Sequence, residues 1–238
     1  MTQSTSDQLA ALAKELVNAA AEQRLTMRVL GGVAVYLTCP SIATHPTLPR
    51  AIKDLDFVAP RADFDALAEL FVARGVTAKT RDESQWLFDK DGVEIELTDP
   101  IFHERYHLDF TARLALASPT LPLADLLLIK LQRAPFADKD IKDAIALLLD
   151  HTAARGEADG QIDCAYIAQL CARDWGLFTA VYDNTVRLEQ ILDRYLVPKE
   201  AQLVWQRIEV LQAEMDRAPK SFAWMVNQIL RRPAQVPA

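Results

Sequence analysis

The spacing of apolar residues changes partway along this 238-residue chain, and that change limits what it can fold into. Before about residue 120 the apolar positions form short runs and strict alternations, the mark of strands with one buried face. AIKDLDFV (51–58) reads as a strand, and QWLF (85–88), a DKDG turn and VEIEL (93–97) read as a hairpin. From Leu121 the strand signal fades and a 3–4 period predicts helices over 122–133, 138–153, 162–173, 177–195, 200–217 and 219–231. The fold class expected is α+β: a small mixed sheet with flanking helices, followed by an all-helical half. The expected domains are 1–117 and 118–238, the second packed against the first, and the tail RRPAQVPA is expected to be loose.

Two more helices frame the strands. Ser4 and Ser6 precede Leu9, Leu12, Leu16 and Val17, which predicts an amphipathic helix to about Gln23. Arg61 to Arg74 carries Phe64, Leu67, Leu70 and Phe71 at helical spacing, with Gly75 as a stop. MRVL (27–30) is an apolar run broken by Gly31-Gly32, after which VAVYL (33–37) continues as strand or opens a helix. Pro40, Pro46 and Pro49 make 38–51 a loop.

Charge and cysteine usage narrow the functional classes. Lys and Arg total 26 against 33 Asp and Glu, a net charge of −7. The balance is 12 basic to 17 acidic up to residue 120 and 14 to 16 beyond it. Neither half offers the positive field that strong non-specific nucleic-acid binding uses. No apolar run reaches the ~20 residues of a membrane span, and MTQSTSDQ lacks the features of a secretory leader, so a cytoplasmic location is expected. Cys39, Cys164 and Cys171 show no CxxC spacing and read as reduced thiols, the last two as core. Trp175, Trp205 and Trp224 likewise read as core packing in the helical half.

The chemistry lies in the acids. Asp54 and Asp56 are two apart on a strand, so they share a face with Cα atoms about 6.6 Å apart. Two unit charges ~6 Å apart repel by about 3 kcal/mol at an effective dielectric near 20. A cation between them turns that repulsion into a site. Glu94 and Glu96 repeat the pattern in VEIEL. If the strands are neighbours, three or four carboxylates converge, an oxygen-only set that suits Mg²⁺ or Mn²⁺. Gly31-Gly32 allows backbone N–H groups to approach a phosphate closely.

VLGGVAVYL, KDLDFV and VEIEL together resemble the nucleotidyltransferase superfamily that includes DNA polymerase beta and kanamycin nucleotidyltransferase. TLPLADLLLIKLQ (120–132) and DKDIKDAIALL (138–148) resemble bacterial proteins related to abortive-infection nucleotidyltransferase toxins. The resemblance implies a nucleotidyltransferase fold, a Mg²⁺ or Mn²⁺ cofactor and a nucleoside triphosphate as co-substrate. A nucleoside monophosphate would pass to a hydroxyl acceptor on a small molecule, a tRNA or a protein, with release of pyrophosphate. It implies that Gly31 and Gly32 hold the triphosphate, that Asp54 and Asp56 ligate metal, and that Glu94 is the third acid, with Glu96 as its rival. Lys53 and Lys130 join the nucleotide-binding set, Lys130 by approaching phosphate or positioning the acids. Asp140 and Asp143 either fix their helix beneath the cleft or form its solvated face.

Two positions depart from the pattern. Gly32 stands where many active members have Ser, which removes a hydroxyl contact to phosphate, and Glu94 stands where Asp is common. They motivate a second reading, a catalytically silent nucleotide-binding module or one half of a toxin–antitoxin pair. His103-Glu104-Arg105-Tyr106-His107 also matches the HExxH pattern, so a zinc hydrolase is a minor alternative that requires a helix at this position.

Overall fold

In the computed structural model, which describes residues 3–82, 85–103 and 105–230, the chain forms two compact units, Met1–Leu126 and Leu127–Ala238.

The first unit is built on a mixed five-stranded sheet of β1 (Arg28–Leu30), β2 (Asp54–Val58), β3 (Thr77–Arg81), β4 (Gln85–Lys90) and β5 (Val93–Thr98). Its order is β1-β2-β5-β4-β3, and only the β2–β5 pair is parallel. Alternation along the strands separates two faces. Val29, Leu55, Phe57, Trp86, Phe88, Ile95 and Leu97 point to one side and are buried. There they meet α4 (Phe64–Ala73), whose Phe71 packs against Phe57 and Phe88 with ring centroids 5.8 and 5.1 Å apart. Phe64 meets Trp86 edge-on at 5.4 Å, and α1 (Gln3–Glu22) packs on α4 with Leu9, Ala13, Leu16, Val17 and Ala20 buried. Ser4 and Ser6 lie within α1 rather than ahead of it.

The hairpin forms as expected. Asp91 and Gly92 both take positive φ, 54° and 82°, in the two-residue turn that matches the twist of β4 and β5. The ambiguous segment after the glycines is helix: α2 (Gly31–Thr38) starts directly at Gly31. The 38–51 loop contains a short helix, α3 (Ser41–Thr44). Beyond β1, Val29 donates to Pro119 O at 2.9 Å and accepts from Leu121 N at 3.0 Å, so this segment lines the edge of the sheet.

The second unit holds most of α5 (Leu123–Leu131), then α6 (Asp138–Asp150), α7 (Cys164–Cys171), α8 (Trp175–Glu189), α9 (Pro198–Arg217) and α10 (Phe222–Leu230). It is helical but for one small exception to the expectation. The segment read as helix to 153 leaves α6 at Asp150, and β8 (Thr152–Ala154) pairs in parallel with β9 (Gln161–Asp163). Asp163 Oδ1 accepts from Ala165 N, Tyr166 N and Gly156 N at 3.0, 3.2 and 2.9 Å. It caps α7 and ties the preceding loop to the helix start. Trp224 is buried, with Trp175 and Phe178 around it at 4.8 and 5.3 Å, whereas Trp205 is exposed, contrary to expectation. Cys39, Cys164 and Cys171 are buried thiols outside any disulfide, and burial pushes the thiols of Cys164 and Cys171 up to about 12. The tail 231–238 lies outside the described residues.

A buried ion cluster joins α5 to α6. Lys130 is 7% exposed, and its Nζ lies 2.8 Å from Asp143 Oδ2 and 3.7 Å from Asp140 Oδ1. Removing one partner of a buried ionic set strands the others, at a cost of about 3–5 kcal/mol. Lys130→Met should therefore lower the unfolding free energy by about that amount, read from a urea or guanidinium titration. Phe71→Ala, which empties the junction of α4 with β2 and β4, should cost a similar ~3–5 kcal/mol in the same experiment.

Tyr195 donates to Asp138 Oδ1 at 2.7 Å, and Asp138 also pairs with Lys142 at 3.2 Å. The Tyr195 hydrogen bond and Lys142 lower the Asp138 carboxyl from 3.8, while burial and Asp138 raise the Tyr195 hydroxyl from 10.0 to about 12. The contact stabilises the fold while Asp138 is charged and Tyr195 neutral. Its contribution is lost as pH falls through the lowered Asp138 value, and again as pH rises between 10.0 and about 12. The stability gap between wild type and Tyr195→Phe should be constant from about pH 5 to 9 and close at both extremes, measured by denaturant midpoint.

Candidate functional site

The acidic face of the sheet arises from the register of one strand pair. In the parallel β2–β5 ladder, Asp54 stands beside Glu94 and Asp56 beside Glu96. Neighbouring strands are ~4.8 Å apart, and paired positions point to the same side. All four carboxylates therefore share the face opposite the Phe57, Ile95 and Leu97 core. They are graded in exposure: Asp54 and Glu94 are exposed, Asp56 and Glu96 half-buried. At the outer end Glu94 also stands across from Asp89 of β4, whose charge Lys79 takes up at 2.9 Å.

The glycine step meets this face at its inner end. Leu30, the last residue of β1, pairs with Asp56, and the chain turns into α2 at Gly31, where φ is +69°. A Cβ on Gly31 would overlap Asp56 Oδ2 and lie 3.1 Å from its Cγ, so glycine is required both by φ and by the carboxylate on its Cα. The N-terminus of α2, with its unpaired backbone donors and partial positive charge, is thus held against Asp56.

The structure brings Gly31, Gly32, Asp54, Asp56, Glu94 and Glu96 together in the first unit. Lys53 is exposed at the start of β2, next to Asp54. Lys130 belongs to the second unit with Asp140 and Asp143 as its partners. It is not a lysine snorkelling to solvent, and the two aspartates, 4% and 0% exposed, are not a solvated face.

Four carboxylates supply hard oxygen donors, the chemistry that Mg²⁺ or Mn²⁺ takes and zinc thiolate sites do not. Among the described residues, no group of three or more His, Cys, Asp or Glu is gathered closely enough to hold an ion. Closing the acids around one takes side-chain rotation, which the exposed positions of Asp54 and Glu94 allow.

The zinc-hydrolase alternative fails on local structure. His103 and His107 lie between β6 (Ile101–Phe102) and β7 (Leu108–Asp109), which pair antiparallel, so the helix that HExxH chemistry requires is not there. Their Nδ1 atoms are 3.2 Å apart, and Glu104 lies outside the described residues.

One residue near the site escapes the sequence reading. A Cβ on Gly32 would come within 2.7 Å of Arg50 Nη2, 3.3 Å of Nη1 and 3.4 Å of Cζ, so the guanidinium lies on the second glycine. Arg50 sits at the end of a proline-rich loop. The only hint in the sequence is a cation shortly before a strand of acids.

A family model described as uncharacterised nucleotidyltransferase matches residues 1–193. No curated protein matches the sequence. Among solved structures, an antigenic nucleotidyltransferase-like protein from Paracoccidioides brasiliensis is similar over 93% of this chain and 98% of its own, at 13% identity and a TM-score of 0.45. The solution structure of the antibiotic-resistance factor ANT(2'')-Ia is similar over 89% and 97%, at 8% identity and a TM-score of 0.41. A tRNA nucleotidyltransferase complexed with a primer tRNA and an incoming ATP analogue is similar over 93% and 64%, at 13% identity and a TM-score of 0.33. With the family model matching most of the chain, the protein belongs to this nucleotidyltransferase family.

Proposed function

We propose that this chain transfers a nucleoside monophosphate from a nucleoside triphosphate to a hydroxyl acceptor. The observation that carries the reading is the in-register β2–β5 pairing, which stacks Asp54, Asp56, Glu94 and Glu96 beside the glycine step. Asp54 and Asp56 are the metal-holding acids in this reading. Glu96 takes the place of the third acid, because it is the direct neighbour of Asp56 and shares its half-buried position next to Gly31. Glu94, the more exposed, flanks the outer end.

A bound Mg²⁺ or Mn²⁺ supplies charge neutralisation for the phosphates and for the oxygens that attack and leave. The chain's own residues position the reactants. Gly31 and Gly32 leave the N-terminus of α2 open for phosphate oxygens to accept backbone N–H bonds. The acceptor hydroxyl forms a bond to the α-phosphorus as the bond to the β-phosphate oxygen breaks, and pyrophosphate departs. A carboxylate of the acidic face takes the hydroxyl proton. Because the acids stand on paired strands over a packed core, their backbone positions are fixed before substrate arrives, and side-chain rotation is what remains to close them around the ion.

Asp56→Asn should reduce transfer by at least roughly 10²–10³-fold, the scale of removing one electrostatic group from a preorganised site. Its thermal midpoint, read alongside, separates a loss of chemistry from a loss of fold. The assay is transfer of label from the four nucleoside triphosphates to candidate acceptors, with pyrophosphate release as a second readout. Chelation of divalent cations should stop the reaction and their return restore it. Full activity in both Asp54→Asn and Asp56→Asn would overturn the assignment, and metal-dependent nucleotide binding without turnover would favour a silent binding module.

A further inference from the structure

The outer side of α10 reverses the usual arrangement of a surface helix. Its exposed positions are Phe222, Ala223, Met225, Ile229 and Leu230, all apolar, whereas its polar residues Asn227 and Gln228 are half-buried. Phe222 is 79% exposed, Ile229 72% and Leu230 73%. At about 100° per residue the five exposed positions share an arc of roughly 160°, with Val226 inside it. The opposite side holds the helix to its unit. Trp224 is buried edge-on against Trp175 and Phe178, and Ser221 caps the first turn, its Oγ accepting from Trp224 N at 3.1 Å while Ser221 N donates to Ala172 O at 3.0 Å. The helix is therefore fixed with its apolar side turned outward.

Scattered apolar side chains are ordinary on a protein surface, but a contiguous set on one helix face marks a surface that something else covers. The charges around it identify the partner. The chain carries −7 as a whole, yet residues 217–238 hold Arg217, Lys220, Arg231 and Arg232 and no Asp or Glu. Arg217 is paired with Glu214, and Lys220 donates to the carbonyls that end α9. Arg231 and Arg232 follow Leu230 directly. Two copies of this face laid together, in either orientation, would set cations against cations, whereas an anionic surface attracts them. A helix with an apolar face and neighbouring cations is the kind that lies in the interface of an anionic bilayer, its apolar side roughly 5–10 Å deep. Among the described residues no helix is long and apolar enough to cross a membrane, so such a contact runs along the surface.

We propose that the outer face of α10 docks the protein on an anionic lipid surface, with Phe222, Met225, Ile229 and Leu230 entering the acyl boundary and Arg231-Arg232 meeting the headgroups. The inference stands on the second unit alone and does not depend on the nucleotidyl-transfer reading.

The test is cosedimentation of the full chain with vesicles of phosphatidylcholine alone and of an equal mixture of phosphatidylcholine and phosphatidylglycerol, at low and at high salt. Binding is expected on the mixed vesicles at low salt, weaker by at least roughly 10-fold on phosphatidylcholine alone or at high salt, where the surface charge is absent or screened. Phe222→Ser and Ile229→Ser should each weaken binding by roughly 10- to 100-fold, the loss of one large apolar side chain from the lipid. Replacing Arg231 and Arg232 by Gln should cost roughly fivefold per charge. Leu203→Ser, which alters an exposed apolar residue of α9 instead, should leave binding within about twofold. All these side chains lie outside the core, so thermal midpoints should hold, and Met225→Ser stands in for a variant that does not fold. Wild type that fails to bind the mixed vesicles overturns the inference, as does binding that ignores both Phe222→Ser and Ile229→Ser or is equal on the two kinds of vesicle. Two further results would assign the face to another occupant and overturn it as well. One is a lipid-free dimer, seen by sedimentation, that Phe222→Ser separates, which marks a second copy. The other is vesicle binding gained only on deletion of residues 231–238, which marks that segment as the cover.

Discussion

The parallel pairing of β2 with β5 is the constraint on which the rest of the first unit depends. A shift of one residue would turn Asp54 and Asp56 toward the core and Leu55 and Phe57 toward solvent. The register is held from the buried side, where Leu55, Phe57, Ile95 and Leu97 are fully enclosed and Phe71 of α4 wedges between Phe57 and Phe88. Hydrophobic packing on one face therefore maintains a charge density on the other that would not assemble by itself.

The same division of labour appears at the glycine step. Gly31 contributes no side-chain contact, yet its positive φ and missing Cβ allow β1 to end against Asp56 and α2 to begin there. The buried cluster in the second unit is a different solution. Lys130 lies within 3.7 Å of both Asp140 and Asp143, all three buried, so one cation is shared between two acids of α6.

What the sequence made legible follows period and local chemistry. KDLDFV and VEIEL carried their alternation openly, and the Asp91-Gly92 turn named its own geometry. The choice between Glu94 and Glu96 could not be read there, because both share a face, and in the fold each stands beside an aspartate of β2. β3 was missed because TAKTR is exposed throughout and shows no apolar pattern. β8 and β9 are three residues each, too short for a period to register, although Asp163 ahead of CAYIAQLC is an ordinary cap signal. Arg50 was invisible for a stronger reason: its contact with Gly32 is made through space, and the property that matters is a volume left empty by a hydrogen.

The thiols described above bear on where such a chain can operate. A thiol must ionise and be reached by a partner before it exchanges or oxidises. Cys164 and Cys171 hold their protons to about 12, and Cys39 is as enclosed as they are. Among the described residues, the folded chain therefore presents no exposed thiol to disulfide reagents. Its cysteines behave as small apolar residues of the core, so replacing them with alanine or valine tests packing rather than chemistry.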